Sequence, residues 1–502
     1  MNRPVDPDAV NEAQRFMESH RRGQFAVDAL DLVIAAALSP GLAKAREGTN
    51  AMFVHLIEPL SDTFLVEDRR VLEKVLAHLI SRLRRLPAAN ELDQKLEQWG
   101  LGTEADLLNR MEHLSVVKTF NAQLAGTIKK VFLPSRVTLG ADVLLSSLVI
   151  EKMKRKFPDA EIVFLGSQKN GSILQGNQAV VRIHPLHYKR RGDLLNRFLI
   201  WLELIRAIAE ETAGLGPGED YIIINTDSRL LQSGLLPTLP PAEEEKRYFF
   251  WIPSLHREAW QGTSQAEDLD QWLDDTFGAE PRQEKIYPQL HFLAEDIDFA
   301  DKVYEGLNPM GKRFIVSMSL GVGGNKEKRV KHQSEIVSGF ELGLVQKILD
   351  SGAVIILDKG YGKEELEQAN ALLQAVNHMG YGFAEVSQEN PGIPGIKPHK
   401  ANPHQIRVVA FQGTINKFAA LIQRSDCYIG YDSLGQHVAA ALGRDVITIF
   451  AGYASDLFPV RWQPLGKGRI HLVKAQSGPF TPARQDRLVD EVFELYNSLR
   501  KK

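Results

Sequence analysis

Over the first 125 positions apolar residues recur with a helical period, and no alternating β-branched run appears. Leu30, Leu32, Val33, Ala36 and Leu38 lie in one apolar stretch, closed by Ser39-Pro40-Gly41. Val71, Leu72, Val75, Leu76, Leu79, Ile80 and Leu83 return every three to four residues, which is one face of a helix, and Pro87 ends it. A third such pattern covers Ala105 to Leu114. The pattern predicts an all-helical domain over residues 1–125 that folds separately from the rest of the chain.

From Thr127 the texture changes to short apolar runs alternating with longer amphipathic stretches. The runs predict strands over 128–133, 161–165, 221–225 and 248–252, with helices over 142–157 and 194–213. Residues 292–312 contain Asn308-Pro309 and Gly311, and their broken periodicity predicts an interdomain linker. Alternation restarts with strands over 314–319, 353–357, 406–411, 427–430 and 446–450. Helices are expected over 336–349, from 363, over 415–424, from 434 and over 484–499. Residues 387–404, rich in Pro, Gly and Asn, read as an exposed loop. Strand–helix alternation of this kind builds parallel sheets from βαβ units. The expected class is therefore α/β: two Rossmann-like domains, 126–300 and 301–480, facing a cleft. A helical domain precedes them, and a helix over 481–502 ends the chain.

Length and composition narrow the function. A chain of 502 residues exceeds one core, and 44% apolar with 25% charged residues is ordinary for a soluble globular protein. A net charge of −3 argues against a dedicated nucleic-acid binder. The single cysteine, Cys427, excludes an internal disulfide framework and any multi-cysteine metal site. It sits in a strand-like run and reads as a buried, inert thiol. No run approaches the ~18 apolar residues that span a bilayer, and Met1 to Asp6 carry no signal-peptide core. The expectation is a soluble, cytoplasmic protein.

Two segments carry most of the chemistry. Ser135-Arg136-Val137-Thr138-Leu139-Gly140-Ala141-Asp142 and Ile429-Gly430-Tyr431-Asp432-Ser433-Leu434-Gly435-Gln436-His437 each lead from an apolar strand through a polar, Gly-containing turn into an apolar helix. Helix N-termini carry unpaired N–H groups and partial positive charge, so they hold phosphates and orient carboxylates. Asp142, Asp432 and Ser433 also suit plain N-capping, with His437 a packed or surface histidine. A third segment, Ser317 to Arg329, holds Gly321, Gly323, Gly324 and Lys328. Its glycines could close on a phosphate, but it lacks the Gly-Lys-Ser/Thr ending of a Walker A loop and equally suits a surface turn. The basic runs Lys152 to Lys156 and Lys189 to Arg191 read as solvated faces, with an anionic acceptor as the alternative.

Taken in order, Lys130 to Gly166, the glycine–lysine loop and Ala420 to Gly452 resemble glycosyltransferase family 9, the ADP-heptose-dependent heptosyltransferases with the two-domain GT-B fold. The family's first motif is matched by Asp142-Val143-Leu144-Leu145-Ser146-Ser147, followed by Lys156-Phe157-Pro158-Asp159-Ala160-Glu161-Ile162. Its late motif, Asp-Ser/Thr-Gly-x-x-His-x-x-Ala-Ala-Leu-Gly, is matched by Asp432 through Gly443, with His437 in register. Two positions depart from the pattern. Ala141 stands where the family has the glycine before the first Asp, and Leu434 stands two after Asp432, with Gly435 one place later.

The resemblance implies an inverting glycosyltransferase that moves a heptose-like sugar from a nucleoside diphosphate to an acceptor hydroxyl, in surface-glycan or glycoconjugate synthesis. It implies Asp142 as general base. Donor contacts would come from Gly321, Gly323, Gly324, Lys328, Glu364 or Glu365, Asp432, Ser433, Gly435 and His437. The first sheet domain would serve the acceptor, with Arg136 and Thr138 on that side, and the second the donor. The acceptor would be a glycan, a lipid-linked saccharide or a protein, with peripheral membrane contact at the inner face open. No cofactor and no obligatory metal is expected, because no Asp-x-Asp lies on a strand-end loop and no His/Cys ligand spacing is present. Two alternatives stand beside it: a GT-B nucleotide-sugar epimerase, and a non-catalytic nucleotide-sugar-binding scaffold.

Overall fold

The computed structural model of the chain describes residues 8–177, 181–188, 193–253, 262–279, 285–308, 311–322, 329–330, 337–389, 406–453, 455–475 and 480–501. The chain divides into two compact units. The first takes in residues 1–138, 152–171 and 180–283, and the second takes in 139–151, 172–179 and 284–502.

The first unit holds a five-stranded parallel sheet of β1 (Ile128–Pro134), β2 (Glu161–Gly166), β3 (Val181–Pro185), β4 (Asp220–Asn225) and β5 (Tyr248–Phe250). The spatial order is β3-β2-β1-β4-β5. Connections run outward from β1 in one direction and from β4 in the other, so the order reverses between these two neighbours. Ligands in open α/β sheets bind at such a reversal, beyond the strand carboxyl ends.

The N-terminal helices include Ala9–Arg21, Val27–Ala37, Leu42–Met52, Val66–Leu83 and Glu104–Leu114. They were expected to fold separately. Instead one apolar core runs from Leu76, Leu79 and Ile80 of the helices into Phe198 and Trp201, and on to Phe132 and Ile223 of the sheet, all fully buried. Each such side chain contributes about 1.5–3 kcal/mol through burial. Polar ties reinforce the junction. Arg110 of the Glu104–Leu114 helix donates Nε–H to Glu244 at 2.8 Å and pairs it through Nη2 as well, all buried.

The second unit holds a seven-stranded parallel sheet: β6 (Ile315–Ser319), β7 (Val354–Asp358), β8 (Gly382–Ser387), β9 (Ile406–Gln412), β10 (Cys427–Tyr431), β11 (Asp445–Ala451) and β12 (Ile470–Ala475). The order is β12-β11-β10-β6-β7-β9-β8. Here the reversal falls between β6 and β10, which pair in parallel with Gly430 opposite Ser319. The turns after β6 and β10 therefore emerge side by side. Cys427 is buried and burial raises its thiol pKa, as expected of an inert core cysteine.

Three expectations change. Residues 292–312 are not a plain linker, because Ala294–Leu307 is a helix that buries Phe299, Ala300, Val303 and Leu307. It packs on the helix Ile415–Gln423. Strands β3, β8 and β12 have no counterpart among the strands expected from periodicity. Lys152 is not solvated: it pairs with Asp270 at 2.6 Å and Asp274 at 2.7 Å, with its side chain only 8% exposed.

Candidate functional site

Strand β10 delivers the late motif. Tyr428 is fully buried within it, and its hydroxyl lies where side chains at Gly430 and Gly435 would go. A β-carbon would stand 2.4 Å from that oxygen at Gly430 and 2.1 Å at Gly435. The glycine at 435, one place later than the family pattern, is thus fixed by the Tyr428 ring. After the strand, Ser433 occupies the N-cap of the helix Leu434–Ala441 without capping it through its side chain. Asp432 accepts a hydrogen bond from Gln436 Nε2 at 2.6 Å, and Gln436 Oε1 accepts one from Thr448 at 2.5 Å.

His437 follows one turn into that helix. It is 4% exposed, and burial lowers its pKa to about 3, so the ring is neutral. Nε2 lies 3.4 Å from Gln436 Nε2, the ring is 6.3 Å from that of Trp462, and Nδ1 has no hydrogen-bond partner among the described residues.

The first motif lands beside it. The helix over residues 139–156 begins at Leu139–Ala141 and passes through a wider π turn, Asp142–Ser146, before Ser147–Lys156. Such turns recur at functional sites. Asp142 lies inside this helix rather than at its cap, and it is 0% exposed. Its carboxylate accepts a hydrogen bond from Ser146 Oγ at 2.8 Å. Gly140 faces the second motif: a β-carbon there would lie 3.2 Å from His437 Cδ2 and 3.6 Å from Leu434 Cα. The helix Leu434–Ala441 packs on both Leu139–Ala141 and Asp142–Ser146. Two motifs far apart in sequence thus share one packed site within the second unit.

Across the strand-order reversal, the turn after β6 begins with Gly321. A β-carbon there would stand 2.6 Å from Glu365 Oε1, so any side chain would have to displace that carboxylate. Glu365 accepts backbone hydrogen bonds from Tyr361 at 3.1 Å and Gly362 at 3.0 Å, and Glu364 beside it is exposed. Asp358 ends β7, where burial first and Glu365 second raise its pKa to about 6, against the opposing bonds from Gly360 N–H and Ser319. Gly321, Asp358 and Glu365 line a small open pocket with Leu320, Lys359 and Gln368. Gly323, Gly324 and Lys328 lie outside the described residues. Arg329 is buried and turned inward, paired with Glu341, which also accepts from Tyr431 at 3.0 Å.

In the first unit, Arg136 and Thr138 follow β1. Thr138 is exposed, and Arg136 lies 3.7 Å from Asp227 and over the Trp251 ring at 5.9 Å. Between them Val137 has φ +77°, a rare conformation for a β-branched residue and one that clusters at functional turns. The neighbouring turn after β4 repeats this strain at Asp227, φ +64°, and Ser233, φ +56°. Arg69 of the Val66–Leu83 helix spans it, donating to Asp227 Oδ1 at 2.9 Å and to the Ser233 carbonyl at 2.9 Å. Ser146, Gln436, Asp358 and Asp227 were not singled out in the sequence. The i, i+4 spacings Asp142/Ser146 and Asp432/Gln436 were signals for two of them.

The family described as glycosyltransferase family 9 (heptosyltransferase) matches residues 398–486. Among solved structures, the glycosyl transferase family 9 protein from Veillonella parvula aligns with TM-score 0.52 at 13% identity, over 74% of this chain and 97% of that one. E. coli ADP-heptose lps heptosyltransferase II gives 0.47 at 15%, over 74% and 99%. E. coli heptosyltransferase WaaC with ADP gives 0.43 at 15%, over 73% and 99%. No curated protein sequence matches the chain. The fold is that of the GT-B glycosyltransferases, as the resemblance implied.

Proposed function

We propose that this chain, a glycosyltransferase similar to family 9 and of GT-B fold, transfers a heptose-like sugar with inversion from a nucleoside diphosphate to an acceptor hydroxyl in glycoconjugate synthesis. In this reading Asp142 takes the acceptor proton as the acceptor oxygen bonds to the anomeric carbon. The bond from that carbon to the diphosphate oxygen breaks on the opposite face, and its electron pair leaves with the diphosphate. Stabilising that leaving charge is the main electrostatic task. Lys328 and the N–H groups opening the helix Leu434–Ala441 are the groups proposed for it, with Ser433 donating a further bond. Neutral His437 would hydrogen-bond rather than attract as a cation, and Glu365 or Glu364 would receive ribose hydroxyls.

The observation that carries this reading is the packing of the Asp142 helix on the His437 helix, with Gly140 against His437. It brings a carboxylate and a helix N-terminus into one packed site, as base-assisted displacement of a diphosphate requires. The test offers purified protein ADP-heptose, UDP-glucose and GDP-mannose, each with and without a deacylated lipopolysaccharide core as acceptor. Bound donor raises the melting temperature by mass action, and turnover releases nucleoside diphosphate. The expected result is a shift and release with ADP-heptose. Neither shift nor release with any of the three would overturn the reading.

A further inference from the structure

We propose that Ser146 is a positioning residue for Asp142, holding its carboxylate in the orientation that receives the acceptor proton; this rests on the reading of Asp142 as general base. The two side chains are both fully buried, and Ser146 Oγ donates to Asp142 Oδ1 at 2.8 Å. A mid-helix serine ordinarily bonds back to the carbonyl four residues earlier. Ser147 does so, to Val143 at 2.5 Å. Ser146 does not, and the backbone supplies the reason. In the π turn the Asp142 carbonyl accepts the Ser147 N–H, five residues on, which leaves the Ser146 hydroxyl to the carboxylate. Two adjacent serines therefore do different work: one satisfies backbone and the other fixes an acid.

A hydrogen bond to one carboxylate oxygen favours the ionised form and stops rotation about the terminal torsion, which is otherwise broad. The second oxygen is then presented in one direction. Gly140, two residues before Asp142, lets the helix carrying this pair close on Leu434 and His437. Gly140 through the backbone and Ser146 through the side chain thus both bear on the position of the base relative to the late motif.

The experiment measures ADP-heptose turnover across pH for wild type, Ser146→Ala, Asp142→Asn, the double variant and Ser147→Ala, with melting temperatures as the check on folding. Ser146→Ala should lower kcat about tenfold, the usual worth of a hydrogen bond to a charged group, with donor KM unchanged. Its acidic rate limb should move up by about one pH unit. In the Asp142→Asn background the same substitution should change nothing, because Ser146 acts through Asp142. Ser147→Ala should stay within about twofold of wild type, since it loses only a weak neutral hydrogen bond. Equal losses from Ser146→Ala in both backgrounds, or an equal loss in Ser147→Ala, overturn the positioning role. A large loss in Asp142→Asn beside a normal Ser146→Ala overturns this proposal and leaves the base intact. A normal rate in Asp142→Asn overturns the base itself.

Discussion

Gly140 lies against His437: a β-carbon there would approach His437 Cδ2 to 3.2 Å, so a methyl group would need the imidazole to give by a few tenths of an ångström. The glycine belongs to the first motif and the histidine to the last. The close approach to the last motif is made by Gly140, two positions before Asp142, and not by Ala141. It also places the proposed base helix and the proposed diphosphate turn in the same packed unit.

Asp142→Asn keeps shape and removes the base. Turnover of ADP-heptose should fall by ~10²–10⁴ while melting and donor binding stay normal. Steady-state kinetics with calorimetric donor titration check this, and a near-normal rate assigns the proton to another group.

The neutral, buried His437 makes the fold acid-sensitive. Its pKa is about 3 when folded, against about 6.5 when unfolded. The unfolded chain therefore binds more protons below that upper value, so stability is full above it and declines as pH falls towards the lower one. Between pH 7 and pH 5 the loss from this group should be about 2 kcal/mol. Urea unfolding of wild type and His437→Gln at both pH values measures it. The variant should lose that much less, and identical pH slopes would remove His437 as the cause.

Gly435→Ala should destabilise the second unit by about 1–3 kcal/mol, because the new methyl group meets the buried Tyr428 ring. Tyr428→Phe should not relieve it, since the ring carbon Cζ is itself 2.5 Å from the β-carbon position. Tyr428→Leu should relieve part of it. Denaturant midpoints for the set decide between a steric and a backbone origin.

Arg69 is buried and pairs with Glu73 and Asp227 at 2.9 Å each. Arg69→Ala strands the buried Glu73 carboxylate and leaves Asp227 to Arg136 at 3.7 Å, and should cost about 3–5 kcal/mol. Because the helices and the first sheet share a core, a chain starting at Gly126 should be insoluble or bind an apolar dye strongly. A monodisperse, dye-silent truncation would show that the sheet tolerates losing that packing.

Chelation should leave turnover unchanged, because the proposed site neutralises the leaving diphosphate with Lys328 and backbone N–H groups. Activity lost in EDTA and restored by magnesium or manganese would add an ion to the mechanism.

The sequence by itself determined the class of the fold and the interior of both sheets. Strands β1, β2, β4, β6, β7, β10 and β11 are buried on two sides, so each is a near-continuous apolar run visible to periodicity alone. It also determined the two motifs, because their turns need glycine and their helices need apolar faces. Tertiary structure decided the rest. Strands β3, β8 and β12 lie at sheet edges, where half-exposed residues erase the apolar run and only the neighbouring strand's free N–H and C=O groups impose the extended form. The helix Ala294–Leu307 was hidden by the Pro and Gly just beyond it, and its apolar face gains meaning only against Ile415–Gln423. The N-terminal helices looked self-sufficient because amphipathicity reports that a face is buried, not what buries it. For the same reason the meeting of Gly140 with His437, and of Ser146 with Asp142 through a π turn, could not be read from the chain. Such contacts depend on backbone geometry and close packing, which residue spacing constrains but does not specify.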